Sequence, residues 1–167
     1  MKWSEVINDK TLQDLPYKIE LNEWGNIVMS PASNRHGLIQ SKIVRLLNQL
    51  DDSGETFSEC SIETDRGVKV ADVIWGSQHF FEHNGLETPY RVAPEICVEV
   101  LSPSNTMAEM EEKKGLYLAQ GAEEVWVCDE DGQLTFFNAC NRLTHSERFP
   151  SFPTQISLRL PSNGRER

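Results

Sequence analysis

EICVEVLSP, residues 95–103, decides the fold. Side chains alternate along an extended chain, so Ile96, Val98 and Val100 point to one face and Cys97, Glu99 and Leu101 to the other. Both faces are apolar except at Glu99. Such a run belongs to a strand covered on both sides, where an unpaired carboxylate costs several kcal/mol of desolvation. One strand earlier the misfit recurs, because VKVADVIW (68–75) places Asp72 between Val70 and Ile74. Two misfits on successive apolar strands suggest a shared cause. Side by side, the two charges at about 4 Å would repel by roughly 4 kcal/mol at an effective dielectric of 20. A divalent cation turns that repulsion into attraction. Magnesium and manganese prefer oxygen ligands and keep several waters, so Asp72, Glu99, a backbone carbonyl (that of Val100) and a substrate phosphate make a consistent set.

Working outward, Ser102 and Pro103 stop the strand. TMAEMEEKKGLYLAQG (106–121) then reads as a helix ended by Gly121, and EEVWVCD (123–129) as the next strand. Strand, helix, strand at this spacing is a right-handed parallel crossover. Lys113 and Lys114 each lie three or four positions from Met110 and Tyr117, so either can share the helix face turned to the sheet. Helix geometry alone does not choose between them. A lysine beside a metal-bound water can orient it, assist its deprotonation or stabilise charge developing on phosphorus.

Upstream, Ile27 to Met29 form a short strand. Leu38, Ile39, Ile43, Leu46, Leu47 and Leu50 recur at three and four, which predicts an amphipathic helix from His36 to Leu50 capped by Ser33 or Asn34. Residues 55–64 and 68–75 read as a hairpin around Asp65, Arg66 and Gly67. Residues 76–93 carry Gly, Asn and Pro without a clean period and read as a long loop able to cover a site. Strands are also expected at Gln133–Asn138, after a DG turn, and at Ile156–Leu160. The sum is an α/β domain around a mixed sheet.

The 167 residues suit one domain spanning 1–167. Sixteen basic and twenty-six acidic residues give a formal charge of -10, which argues against broad attraction to nucleic acid or an anionic membrane. Arg35, Lys42, Arg45, Lys69, Arg91, Arg165 and Arg167 are scattered and establish no basic patch. Cys60, Cys97, Cys128 and Cys140 lack CxxC spacing and read as reduced thiols rather than zinc ligands. The opening residues MKWSEVINDK lack the apolar stretch of a secretory signal, and no segment has the length to span a bilayer, so a cytoplasmic protein is expected. Walker, GxSxG and HExxH patterns are absent.

Several elements in order carry a resemblance: YKIELNEWGNIVMSP (17–31), His36 opening a helix, ADV (71–73), PEICVEVLSPSN (94–105), a lysine four before Tyr117, and GAEEVWVCD (121–129). Together they resemble the Uma-two family of bacterial proteins, in the PD-(D/E)XK restriction-endonuclease-like superfamily. The resemblance spans about residues 17–137 and leaves 138–167 as a C-terminal extension. It implies a restriction-endonuclease-like core, a mixed central sheet flanked by helices, with Asp72 and Glu99 holding Mg2+ or Mn2+. Two departures stand out. Ala71 replaces the name-giving proline, and Leu101 replaces the lysine two residues after Glu99. In similar families that lysine has moved to the next helix, and the matching position is Lys113. The family resemblance also places a histidine at His36, and Gln40, one turn on, shares a side with Ile39 and Ile43. Homodimerisation is a further implication.

The leading expectation is a metal-dependent endonuclease that hydrolyses phosphodiester bonds in nucleic acid, with DNA as substrate. Asp72 and Glu99 would hold the metal, Lys113 would assist the attacking water, and His36 and Gln40 would help position it. Two rivals are a catalytically inactive binding or assembly module of the same fold and a hydrolase of a small phosphorylated substrate. At single residues the plain readings are a fold-fixing ion pair for Glu99 or Asp72, a solvated Lys113 and a helix-boundary His36. For Trp75, Trp126 and the phenylalanines the plain reading is core packing.

Overall fold

A computed structural model describes residues 1–161, so Arg165 and Arg167 lie outside the described residues. The elements are α1 (Trp3–Asn8), β1 (Tyr17–Leu21), β2 (Ile27–Pro31), α2 (Asn34–Leu50), β3 (Gly54–Thr64), β4 (Gly67–Ser77) and α3 (Gln78–Asn84). They continue with β5 (Ile96–Val100), α4 (Met107–Ala119), β6 (Glu124–Cys128), β7 (Leu134–Phe137) and β8 (Arg142–Leu143). Strands β3 to β8 form a six-stranded sheet in sequence order, and β1–β2 make a separate two-stranded ribbon. Only β5 and β6 pair in parallel, joined by the α4 crossover, and the other neighbours are antiparallel.

The alternation of β5 and β6 divides the core into two layers. Ile96, Val98, Val100, Trp126 and Cys128 face α2, whose Ile39, Ile43 and Leu47 are buried against them. Cys97 and Val125 face the other way, onto Tyr117 and Ala122 at the α4 end and Phe80 of α3. A third, smaller cluster of Val6, Leu21 and Val68 fixes α1 and the ribbon to β4. On β4 the alternation skips. Val73 and Trp75 enter the first layer, whereas Ala71 and Ile74, three residues apart, both enter the second. The skip falls at Asp72, opposite Glu59, a non-glycine residue at φ 60°.

Helix ends follow the chain's own signals. The Ser33 hydroxyl accepts the His36 amide at 3.1 Å. Thr106 and Glu109 form a reciprocal capping box at the start of α4. Gly121, at φ +105°, follows the end of α4.

Three expectations about elements differ from the structure. Residues 76–93 contain α3, capped by Ser77 through the Phe80 amide at 3.1 Å and stopped at Gly85 (φ +54°). Its seven residues are too few to show a period. Ile156–Leu160 is not a strand: beside the single Gln133–Gln155 bridge, Ile156 is anchored by its amide to the Gly132 carbonyl at 2.7 Å. The edge of β7 is taken instead by β8. Residues 1–26, to which the sequence pattern assigns no element, contain α1 and β1. Among the described residues, no helix is long and apolar enough to cross a membrane.

Glu124 ties the last segment to the sheet. Its buried carboxylate accepts the Trp126 indole N–H at 2.7 Å and the Glu147 and Arg148 amides at 2.9 Å each. Glu124→Ala strands these donors, so urea denaturation should show a loss of about 2–4 kcal/mol of unfolding free energy.

Candidate active site

The β4–β5 ladder runs through Trp75–Ile96, Ile74–Cys97 and Val73–Val98, and then ends. Asp72 and Glu99 are the next facing residues. Where a backbone pair would continue, the Asp72 side chain takes over, its Oδ2 accepting the Val100 amide at 2.7 Å. The part of β4 left without β5 is met by β1, whose Glu20 Oε1 accepts the Val70 amide at 2.8 Å. The end of the ladder opens a cleft of about 220 Å³, whose lining includes Asp72, Glu99, Val100, Lys18, His36 and Lys113. Glu99 and Asp72 are buried at its floor.

Lysine ammonium groups hold the carboxylates together. Lys18 Nζ lies 2.9 Å from Asp72 Oδ1, 3.4 Å from Glu99 Oε2 and 3.8 Å from Glu20 Oε1. Lys113 Nζ lies 2.8 Å from Glu20 Oε1 and 3.5 Å from Glu99 Oε2. Glu99 Oε1 accepts the buried Tyr117 hydroxyl at 2.6 Å. The choice the helix periodicity left open is made by packing: Lys113 enters the cleft, while Lys114 lies 4.2 Å over the Phe137 ring. His36 Nε2 sits 3.3 Å from Asp72 Oδ2. Gln40 acts differently from its neighbour one turn back, donating to the Asp72 carbonyl at 2.6 Å and to Glu59 Oε1 at 2.7 Å. It fixes the backbone beneath the carboxylate. Val100 contributes its amide to Asp72.

Burial and neighbours drive the two carboxylates apart in acidity. Burial would raise the Asp72 carboxyl, but Lys18 and His36 outweigh it and hold it well below the usual carboxylate range. Glu99 is raised by burial, Lys113 and Lys18 oppose that shift, and repulsion from Asp72 and Glu20 reinforces it. Glu20 is likewise penalised by burial, yet Lys113 and Lys18 leave it lowered. Burial would pull the Lys18 ammonium down, but Glu99, Asp72 and Glu20 push it well above the usual lysine range. Tyr117 is pushed up by burial and stays a phenol donor.

Three participants went unread in the sequence: Lys18, Glu20 and Tyr117. Lys18 and Glu20 alternate with Tyr17, Ile19 and Leu21 in YKIEL, so a period-two reading of that segment would have put both on one face.

The sequence model of a family named Uma2, described as "Putative restriction endonuclease", matches residues 10–162. The chain belongs to the Uma2 family. A solved structure described as a "putative nuclease belonging to DUF820 from Anabaena variabilis ATCC 29413" superposes with a TM-score of 0.67. Its sequence is 18% identical, over 84% of this chain and 81% of that one. The likeness shows the fold, a mixed sheet flanked by helices of restriction-endonuclease-like type. A search of curated proteins returns no match.

Enzymes of this fold class usually need a divalent metal. In this Uma2 family member, Asp72, Glu99 and Glu20 present the hard oxygen donors such an ion takes, and Lys18 already stands among them as a cation. Among the described residues no group of three or more acidic, histidine or cysteine side chains is gathered into a ready ligand set. The Lys18 ammonium spaces the three carboxylates. The donors fit the ion in kind.

His36 is raised above its ordinary 6.5, first by the Asp72 hydrogen bond and then by that carboxylate's charge, against the cost of burial. Its pairing therefore stabilises the fold fully below pH 6.5 and loses that contribution as pH rises through the folded-state midpoint. NMR titration of the metal-free protein should place the His36 midpoint above 6.5, falling towards 6.5 in Asp72→Asn.

Proposed function

We propose that this Uma2 family member is a metal-dependent endonuclease that hydrolyses phosphodiester bonds in nucleic acid, with DNA as substrate. One observation carries the reading: Asp72 and Glu99, on neighbouring strands, reach a single cation at the floor of an open cleft, at 2.9 and 3.4 Å. The family's description as restriction endonucleases supports DNA as the substrate. Magnesium or manganese held by these carboxylates would supply Lewis-acid polarisation of a phosphoryl oxygen and a more acidic water.

The chain's own residues supply the rest. Lys113, 3.5 Å from Glu99, is placed to orient a water or to stabilise charge developing on phosphorus. Burial and the neighbouring carboxylates raise Glu99 when no metal is bound, so an entering cation would relieve its repulsion from Asp72. His36 holds Asp72 through Oδ2, and Gln40 holds its backbone. Tyr117 fixes the far oxygen of Glu99. A homodimer belongs to the same proposal, because cutting both strands of a duplex calls for two clefts.

The inactive-module reading has its own support. Lys18 fills the space between the ligand carboxylates. Several basic residues are tethered elsewhere, with Arg35 on the Glu130 carbonyl, Lys42 on the Ser157 carbonyl and Arg91 beside Glu87. The formal charge of -10 leaves the chain without the net positive charge from which a duplex binder draws much of its affinity.

A cleavage assay over single-stranded, double-stranded and structured substrates, with and without Mn2+, separates the two. Activity that needs the metal and vanishes in Asp72→Asn and Glu99→Gln, both folded by circular dichroism, is the expected result. Lys113→Ala should lower the rate by about 10²–10⁴-fold. Full activity in both carboxylate variants would remove this mechanism.

A further inference from the structure

We propose that Lys18 is a displaceable resident cation: its ammonium holds the metal-free carboxylates together and must leave when a divalent ion enters, so it sets the protein's affinity for its metal. The proposal rests on the metal-dependent reading above and adds a residue that opposes the metal.

The two lysines of the cleft are not equivalent. Lys113 reaches Glu20 and Glu99, whereas Lys18 Nζ touches both Asp72 and Glu99. An ion bound by both of those carboxylates needs the position that this ammonium fills. Two cations there would repel each other and compete for the same oxygens, Asp72 Oδ1 and Glu99 Oε2. Because the Lys18 side chain is only 11% exposed, solvent does little to screen that competition.

Lys18 also has a way out. It belongs to the β1–β2 ribbon, a different sheet from the one that carries Asp72 and Glu99, so its withdrawal need not disturb the β4–β5 ladder. Beside the cleft is a second hollow of about 510 Å³, lined in part by Trp3, Tyr17, Phe57 and Glu59, and Lys18 lines both. Glu59 borders both spaces and is exposed, which gives the departing ammonium a carboxylate to meet. The flexible four-carbon stem of a lysine can make that swing by changing rotamers.

The test uses the full chain and the metal alone. In calorimetric titrations with MnCl2 and MgCl2, Lys18→Met should bind about tenfold or more tightly than the wild type. In chelator the same variant should melt lower than wild type, and saturating metal should narrow the gap. Should Lys18→Met fail to fold, reductive methylation of the wild type read by peptide mass spectrometry decides. Lys18 should be protected in chelator and labelled faster in saturating Mn2+. Equal metal affinities in the two proteins, or binding heat without any change in Lys18 labelling, overturn the proposal and leave the metal-dependent reading intact. Absence of binding heat in both proteins at millimolar metal overturns both together.

Discussion

The hydrogen bond from the Val100 amide to Asp72 Oδ2, 2.7 Å long, is the constraint from which the rest of the site follows. Two central strands cannot part inside a domain without leaving backbone donors unsatisfied, and each such donor is costly. Here a side chain substitutes for the missing ladder partner. Asp72 is therefore structural and chemical at once: one oxygen closes the gap that creates the cleft, and the other faces Lys18. Glu20 repeats the device on the opposite flank by accepting the Val70 amide. A carboxylate committed to a main-chain donor has little freedom to turn, which keeps the remaining oxygens in place without a large supporting shell.

Much of this was legible in the chain because burial leaves a plain signature. EICVEVL and VKVADVIW are too apolar for their acidic residues to be accidental, and both residues were found at the floor of one cleft. The parallel crossover followed from strand, helix and strand lengths, and Ser33, Thr106 and Gly121 marked helix ends through ordinary capping chemistry. What the sequence hid was tertiary. The choice between Lys113 and Lys114 depends on how α4 rolls on the sheet, and no property of the helix alone fixes it. Lys18 joins the site only because the ribbon folds across β4, and Ile156–Leu160 looked like a strand because a chain anchored by one bridge carries the same apolar residues as a paired one.

Electrostatically the protein sets a locally balanced cluster within an acidic whole. Asp72, Glu99 and Glu20 are set against Lys18 and Lys113, with His36 adding charge when protonated. The formal charge of -10 surrounds this cluster. The cluster itself offers a polyanion no net positive charge, and screening over a Debye length of about 8 Å weakens distant contributions at physiological salt.

The site's cross-links also close very long loops. Lys18 meets Asp72 across 54 residues and Glu99 across 81, and Lys113 meets Glu20 across 93. Contacts this remote in sequence cannot precede the sheet that brings their ends together, because the entropy of closure is recovered only once neighbouring strands are in register. Asp72 thus enters the collapsing chain without Lys18, whereas Glu99 meets Lys113 across the single α4 crossover. Lys18 reaches the carboxylates only where the ribbon lies against the central strands, so those strands and the ribbon share one electrostatic seam whose closure spans most of the chain.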